Sequence, residues 1–195
     1  EWMVDRDKPS DKHRHLSHMI AVHPGRQVSP LTTPTFAEAA KVSMNARGDG
    51  KGGWSKAWKI NIWTRLHDGD RAYKLAGDFL KNNIFPNLWG NYWGGGRPPF
   101  QIECNFGYAS GLCEMLMQSH MGVVHLLPAL PAAWKNGKVT GMKARGCFVV
   151  DMEWKDGSLT EVKIESLKGA PLKVRYGDKV IDVKLKKGET KTVVI

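Results

Sequence analysis

The spacing of apolar residues changes along this 195-residue chain. Up to about residue 122, apolar residues recur every three or four positions, which is the period of an amphipathic helix. After Pro131 they alternate with polar residues, which is the period of a strand with one buried face. The pattern predicts an α+β chain divided by segment, with helices over residues 1–122 and a β-domain over residues 123–195.

Four helices are predicted in the first region. The first begins near Thr33, has Pro34 in its first turn and a capping box between Thr35 and Glu38, and stops at Gly48. The other three are predicted over residues 54–66, 70–82 and 108–119, so that the stretch before residue 108 is expected to be a loop.

Each later helix has an apolar face that predicts its buried side. The second carries Trp54, Trp58, Ile62 and Leu66 at steps of four, and Trp54 is the member expected to reach a cleft. The third is expected to bury Tyr73, Ala76, Phe79 and Leu80, and the fourth Leu112, Met115 and Leu116.

Five strands are predicted in the second region, over residues 148–154, 159–164, 172–176, 180–185 and 190–195. Glycine-containing turns separate them, and Asp156-Gly157 is a strong hairpin signal. Short strands at this spacing predict a small antiparallel β-sandwich. Residues 126–131 are predicted to be a linker, because Pro128 and Pro131 disfavour both helix and central strand.

Composition and charge narrow the possible functions. The net charge of +10 is spread evenly, since residues 137–195 carry 13 lysines and arginines against 8 acids, and it argues against a nucleic-acid interface. No apolar run approaches the roughly 18 residues of a membrane span. The three cysteines have neither zinc-site spacing nor a full disulfide framework. No metal and no cofactor is predicted.

The candidate chemistry centres on Glu103. This carboxylate lies between apolar neighbours, close to Asn105 and shortly after an aromatic, glycine-rich stretch that includes Trp93. Aromatic faces cover the C–H faces of sugars, while amides and carboxylates hold sugar hydroxyls, so the pattern predicts a carbohydrate site with Asn105 and Trp93 as binding residues. An acid in partly dry surroundings also suits proton transfer. The alternative is a structural acid that caps a helix or pairs with an arginine.

A second polar cluster occupies residues 12–18, where three histidines fall within six positions. His15 and His18 are spaced to share one helical face, which leaves a metal site open as one interpretation. The chain lacks the HExxH pattern, and the nearest acids, Asp7 and Asp11, lie on the loop side. A set of hydrogen-bonding groups facing a polar ligand is the favoured interpretation.

Four stretches together resemble one known family. They are HRHLSH at residues 13–18, RGDG with GWSKAWKIN within residues 47–61, PPFQIECNFG at residues 98–107, and HLLPALP at residues 125–131. In this order they resemble the C-terminal part of glycoside hydrolase family 95, which contains α-L-fucosidases and some α-L-galactosidases. The resemblance implies that residues 1–122 are the last helices of an (α/α)6 barrel, followed by a C-terminal β-domain. It also implies a much longer parent protein, with a periplasmic or secreted location.

The resemblance further implies an inverting exo-glycosidase that removes terminal α-L-fucosyl or α-L-galactosyl residues from glycans. In this family an upstream glutamic acid protonates the leaving oxygen, and upstream asparagines, polarised by an aspartate, activate water. That aspartate stands in a QIDGNFG motif, which here reads QIECNFG, so Glu103 occupies its position and Cys104 replaces glycine. The family's sugar-binding pair falls on Arg14 and His15.

Two alternatives remain. One is a different (α/α)6 carbohydrate enzyme, such as another glycosidase, a glycoside phosphorylase or a polysaccharide lyase. The other is a non-catalytic carbohydrate-binding or structural segment, because the general acid lies outside this chain. The missing upstream part of the same protein is the expected partner, and the isolated chain is expected to be inactive.

Overall fold

The computed structural model describes Val4, Arg6 and residues 8–50, 52–92 and 98–195. The chain divides into two compact units, Glu1–Glu114 and Met115–Ile195. None of the helices in the described residues combines the length and the apolar character that a membrane span requires. Among the residues that the model describes, four helices precede two sheets, so the predicted order of a helical region and then a small, largely antiparallel β-domain is confirmed.

The helices follow the predicted order, and only the last is placed differently. They are α1 (Pro34–Arg47), α2 (Gly53–Arg65), α3 (Gly69–Asn82) and α4 (Ile102–Leu116), preceded by a 3-10 turn at Ser17–Ala21. The predicted capping box is wrong. The N-cap of α1 is Thr33, whose hydroxyl accepts from the Ser29 amide, and Glu38 pairs with Lys41 at 2.8 Å.

The prediction that α4 starts near residue 108 is also wrong. Helix α4 begins six residues earlier, at Ile102, so Glu103 lies in its first turn. Met115 is buried as predicted, whereas Leu112 and Leu116 are only partly buried. The motif that contains Glu103 is therefore held on a helix and not on a loop.

Helix α2 is the most buried helix of the first unit. Eleven of its thirteen residues are buried, including six polar or charged ones besides the apolar set. Burial differs along the predicted apolar stripe of α2: Ile62 is fully buried, whereas Trp54, at the start of the helix, is 38 % exposed. On α3 the predicted core is partly wrong: Phe79 is buried, but Tyr73 and Leu80 are exposed.

The second unit contains two four-stranded sheets. Their strands are β1 (Met117–Gln118), β2 (Val124–Leu126), β3 (Gly137–Ala144), β4 (Phe148–Lys155), β5 (Ser158–Ser166), β6 (Pro171–Tyr176), β7 (Lys179–Lys184) and β8 (Thr190–Thr192). One sheet has the order β1-β2-β6-β7 and the other β3-β4-β5-β8. All pairs are antiparallel except β2 with β6. The inward faces of both sheets form one apolar core.

Turn chemistry confirms the predicted hairpin between β4 and β5. Asp156 and Gly157 both have positive φ, as a two-residue turn between twisted strands requires. Three predictions were wrong in this unit. Strand β3 was not predicted, and β2 enters the predicted linker, because Leu126 belongs to the strand. The last helix was predicted to reach residue 119, but Met117–Gln118 form β1.

Candidate functional site

The first turns of α2 and α4 lie against each other. The Trp54 amide donates to the Gln101 side-chain oxygen at 3.1 Å, and the Gly53 amide donates to the Tyr92 carbonyl at 2.5 Å. These bonds satisfy two of the amides that a helix leaves free at its N-terminus. Gln101 precedes Glu103 by two residues, so this contact fixes the position of the acid relative to Trp54.

Two glycines allow the close approach of α2 and α4. A Cβ on Gly107 would lie 3.1 Å from Ala57 Cβ and 3.4 Å from Trp54 Cζ3, and one on Gly111 would lie 2.5 Å from Ile60 Cγ2. A side chain at either position would push the helices apart. Glu103 and Gly107 are four residues apart, so Glu103 lies one helical turn before the glycine that approaches the Trp54 ring.

A buried amide cross-links the same two helices. Asn61, which is 1 % exposed, donates through Nδ2 to the carbonyls of Ala57 and Gly107 at 2.8 and 2.7 Å. Its Oδ1 accepts from the Ser110 hydroxyl at 2.9 Å. Both ends of the amide are satisfied in a dry environment, where losing one partner is costly.

Glu103 itself is exposed, so the prediction of partly dry surroundings is wrong for the described chain. Ile102 and Phe106 are exposed as well, at 41 % and 68 %. Among the described residues the Glu103 carboxylate makes no hydrogen bond and no ion pair. A position in the first turn of α4 favours its negative charge.

Arg14 lies beside the first turn of α2. The Ser55 hydroxyl donates to the Arg14 carbonyl at 2.7 Å, and the Arg14 guanidinium lies 5.9 Å from the centroid of the Tyr92 ring. Arg14 and the neighbouring His15 are exposed, so their side chains are accessible to a ligand. The structure thus brings Arg14, Trp54 and Glu103 to one end of the α2–α4 pair.

The histidines of residues 13–18 do not form a metal centre with acids in the described residues, where no three potential ligands gather. The His13 and His15 rings lie 5.3 Å apart, and the His15 amide donates to His13 Nδ1 at 3.2 Å. His18 instead contacts the Ser43 hydroxyl through Nε2 at 2.8 Å. The cluster is thus divided between a surface pair and a partly buried contact with α1.

Asn105 holds backbone, and Trp93 lies outside the described residues. Asn105 Oδ1 accepts from the Gly90 amide at 2.7 Å, and its Nδ2 donates to the Leu88 carbonyl at 2.8 Å. Its amide therefore holds the backbone on both sides of Trp89, shortly before α4. Its predicted contact with sugar stays a prediction, as does that of Trp93.

A basic cluster that the sequence did not single out supports the start of α2. Lys59 is fully buried and donates from Nζ to the Gly48 carbonyl at 2.6 Å. Burial lowers the pKa of Lys59 to about 8, and nearby Arg47, Lys56 and Arg71 act in the same direction, against Asp49. Lysine in an amphipathic helix normally indicates the solvent face, so the sequence pattern misplaces this side chain.

Both units of the chain match domains of one known protein family. Residues 1–116 match the glycosyl hydrolase family 95 catalytic domain, and residues 118–194 match the family's C-terminal domain. A relative named alpha-L-fucosidase 2, from Arabidopsis thaliana, is 39 % identical over 169 residues, covering 83 % of this chain and 20 % of its own length.

Two fungal relatives, both named probable alpha-fucosidase A, give the same picture. The one from Aspergillus niger is 33 % identical over 178 residues, and the one from Aspergillus oryzae is 32 % identical over 184 residues. Each match covers 83 % of this chain, and 22 % and 25 % of the relatives. The chain spans about a fifth to a quarter of the length of these curated relatives. Because the family models match both units, the chain belongs to glycoside hydrolase family 95.

Proposed function

We propose that this chain is the C-terminal part of an exo-glycosidase that removes terminal α-L-fucosyl residues from glycans with inversion at the anomeric carbon. Family membership supports glycoside hydrolysis, and the names of three relatives support fucose over galactose. The observation that carries the proposal is the position of Glu103: an exposed carboxylate that no described residue pairs, in the first turn of α4 and in a motif that Gln101 anchors to the Trp54 amide.

In this proposal Glu103 does not attack the sugar. It polarises side-chain amides supplied by the upstream part of the protein, and these amides activate the water that attacks the anomeric carbon. An upstream glutamic acid gives its proton to the leaving oxygen as the glycosidic bond breaks. A fixed charge strengthens such hydrogen bonds most where the surroundings are dry, so the upstream part is also expected to cover Glu103.

Arg14 and Trp54 are proposed to bind the cleaved sugar. The guanidinium of Arg14 suits two neighbouring hydroxyls, and the Trp54 indole suits a C–H face. Stacking of Trp54 on Trp58, with centroids 6.1 Å apart and planes within 8°, holds the indole in place. The isolated chain is proposed to be inactive, because the proton donor is upstream.

The test is charge removal at Glu103 in the full-length protein, assayed on an aryl α-L-fucoside and an aryl α-L-galactoside. Glu103→Gln keeps the shape, and turnover is expected to fall by on the order of a hundredfold or more. A merely structural acid at a helix N-terminus would change stability by about 0.3–1 kcal/mol and leave turnover intact.

Two comparisons sharpen the result. Glu38→Gln removes a carboxylate from the exposed face of α1 and serves as the control, which should keep wild-type turnover. NMR of the first-formed anomer reports inversion or retention. Turnover of Glu103→Gln near wild type would refute the role of Glu103, and a retained anomer would refute the mechanism.

A further inference from the structure

Two large aromatic side chains lie next to each other on the surface before α4. The Trp89 and Phe100 rings have centroids 4.8 Å apart and planes tilted by 37°. Trp89 is 55 % exposed and Phe100 is 44 % exposed. Aromatic pairs of this geometry usually contribute to a core, so a pair open to solvent in the described chain calls for a ligand or a covering surface.

The backbone around Trp89 is held by hydrogen bonds on both sides. Its amide donates to Asn87 Oδ1 at 3.1 Å, and its carbonyl accepts from the Phe85 amide at 2.8 Å. The next residue, Gly90, donates its amide to Asn105 and accepts from the Gln101 amide at 2.9 Å. The indole therefore projects from a preformed turn, which lowers the entropy cost of binding.

The same bonds tie the aromatic pair to the proposed acid. Asn105 lies two residues after Glu103 in α4 and holds Leu88 and Gly90 on either side of Trp89. Gly90 has no room for a side chain, because an added Cβ would lie 2.7 Å from Cys104 Cβ and 2.9 Å from Asn105 Oδ1. The distance between the Trp89 surface and Glu103 is therefore fixed by covalent and hydrogen-bonded structure.

We propose that Trp89 and Phe100 form a subsite for a neutral pyranose ring of the glycan, on the leaving-group side of the cleaved bond. This inference rests on the proposed function. The apolar C–H face of a pyranose would cover the Trp89 indole, and the side-chain amide of Asn87, which lies against the Trp89 backbone, suits a ring hydroxyl. The terminal sugar would use Arg14 and Trp54 instead, so the Trp89 surface selects the sugar that follows.

The subsite is tested with substrates of different length in the full-length protein. α-L-Fucosyl fluoride has no sugar on the leaving-group side, whereas a trisaccharide ending in α-L-fucose has two. Trp89→Ala is expected to lower kcat/KM for the trisaccharide by about tenfold, which corresponds to the burial of roughly two CH₂ groups. It should leave kcat/KM for the fluoride unchanged.

Control variants separate recognition from stability. Phe36→Ala removes another exposed aromatic ring, on α1 and away from the proposed site, and should change neither substrate. Trp89→Phe keeps a flat ring and should recover most of the kcat/KM for the trisaccharide that Trp89→Ala loses. This second variant keeps the proposal testable if Trp89→Ala folds poorly. An equal loss on both substrates, or no loss on either, would overturn the subsite, and the first result would indicate that Trp89 packs against the rest of the protein.

A binding measurement distinguishes failure of this inference from failure of the proposed function. The non-fucosylated disaccharide that remains after cleavage is titrated calorimetrically into the wild type and into Trp89→Ala. Binding by the wild type that is lost in the variant supports the subsite even if the protein hydrolyses no fucoside. Absence of binding by the wild type at millimolar disaccharide would overturn the subsite while hydrolysis still supported the function.

Discussion

The buried Lys59 should make the stability of this protein rise with pH between 7 and 10. Burial, with help from Arg47, Lys56 and Arg71, lowers its pKa in the folded state from 10.5 to about 8. At pH values between 8 and 10.5 the unfolded chain binds a proton that the folded chain lacks, so the free energy of unfolding increases with pH. The penalty for the buried charge is complete below pH 8 and disappears toward pH 10.5.

The size of the effect follows from the shift. Each unit of pKa difference corresponds to about 1.4 kcal/mol, so the full penalty is on the order of 3 kcal/mol. Most of it is recovered between pH 7 and pH 10, and about half of that gain appears by pH 9. The Lys59 side chain is fully buried, so solvent screening takes little away from this value.

The assay is urea unfolding followed by far-UV circular dichroism at pH 7, 8, 9 and 10. Other lysines, tyrosines and cysteines titrate in the same range, so the measured quantity is the difference between the wild type and Lys59→Met, which does not titrate. Lys59→Arg is the matched control that keeps a charge at every pH. Both differences should change by on the order of 2–3 kcal/mol in favour of the wild type as the pH rises. Parallel curves for the wild type and both variants would refute the reasoning.

Three further outcomes follow from contacts in the first unit. Glu114→Leu removes the carboxylate that the Nε and NH2 groups of Arg65 bind at 2.6 and 2.8 Å. The free energy of unfolding in urea should fall by about 3–5 kcal/mol. A fall of less than about 1 kcal/mol would contradict this prediction. Gly53→Ala drives a methyl group into the Asn91 carbonyl and should lower the melting temperature, whereas Gly77→Ala, in open space on α3, should raise the free energy of unfolding by about 0.5–1 kcal/mol. Dialysis of the full-length protein against EDTA should leave hydrolysis intact, and a loss restored by zinc would assign a metal to His13 and His15.

The sequence predicted the helices wherever periodicity and propensity agree, and failed at α4, where they conflict. Gly107 and Gly111 are poor helix formers, and propensity placed the start of the helix after the first of them, at residue 108. Packing decides otherwise, because these glycines let α4 lie against Ala57 and Ile60 on α2. Tertiary contacts of this kind cannot be read from the local sequence, and so Glu103 was expected on a loop.

Strand β3 was missed for a similar reason. Glycine is depleted in strands, and this one contains Gly137 and Gly141. Gly137 lies against the Trp154 ring with no room for a Cβ, and Gly141 adopts a positive φ at the bulge between Val139 and Met142. Both glycines are required by the partner strand, and a window of neighbouring residues carries no information about that partner.

Candidate site residues could be predicted where residue type alone indicates chemistry, as with Glu103 and Arg14. The residues that position them were not predictable. An asparagine or lysine in a helix can lie on the solvent-exposed face or make a buried hydrogen bond, and the local sequence does not distinguish the two. Asn61 and Lys59 both lie inside α2, and each binds a backbone carbonyl of another segment. Only the fold brings those carbonyls to them.

The motif around Glu103 divides its side chains between two tasks. Gln101 accepts from the first turn of α2, Cys104 is fully buried against the Asn91 backbone, and Asn105 holds the backbone shortly before α4. Burial raises the pKa of the Cys104 thiol to about 11, so it remains a neutral packing group. Because these neighbours are all committed to structure, Glu103 is the polar side chain of the motif that remains available to a ligand in the described chain. A motif can therefore be specific to a family mainly through its architecture, and still direct a single carboxylate outward.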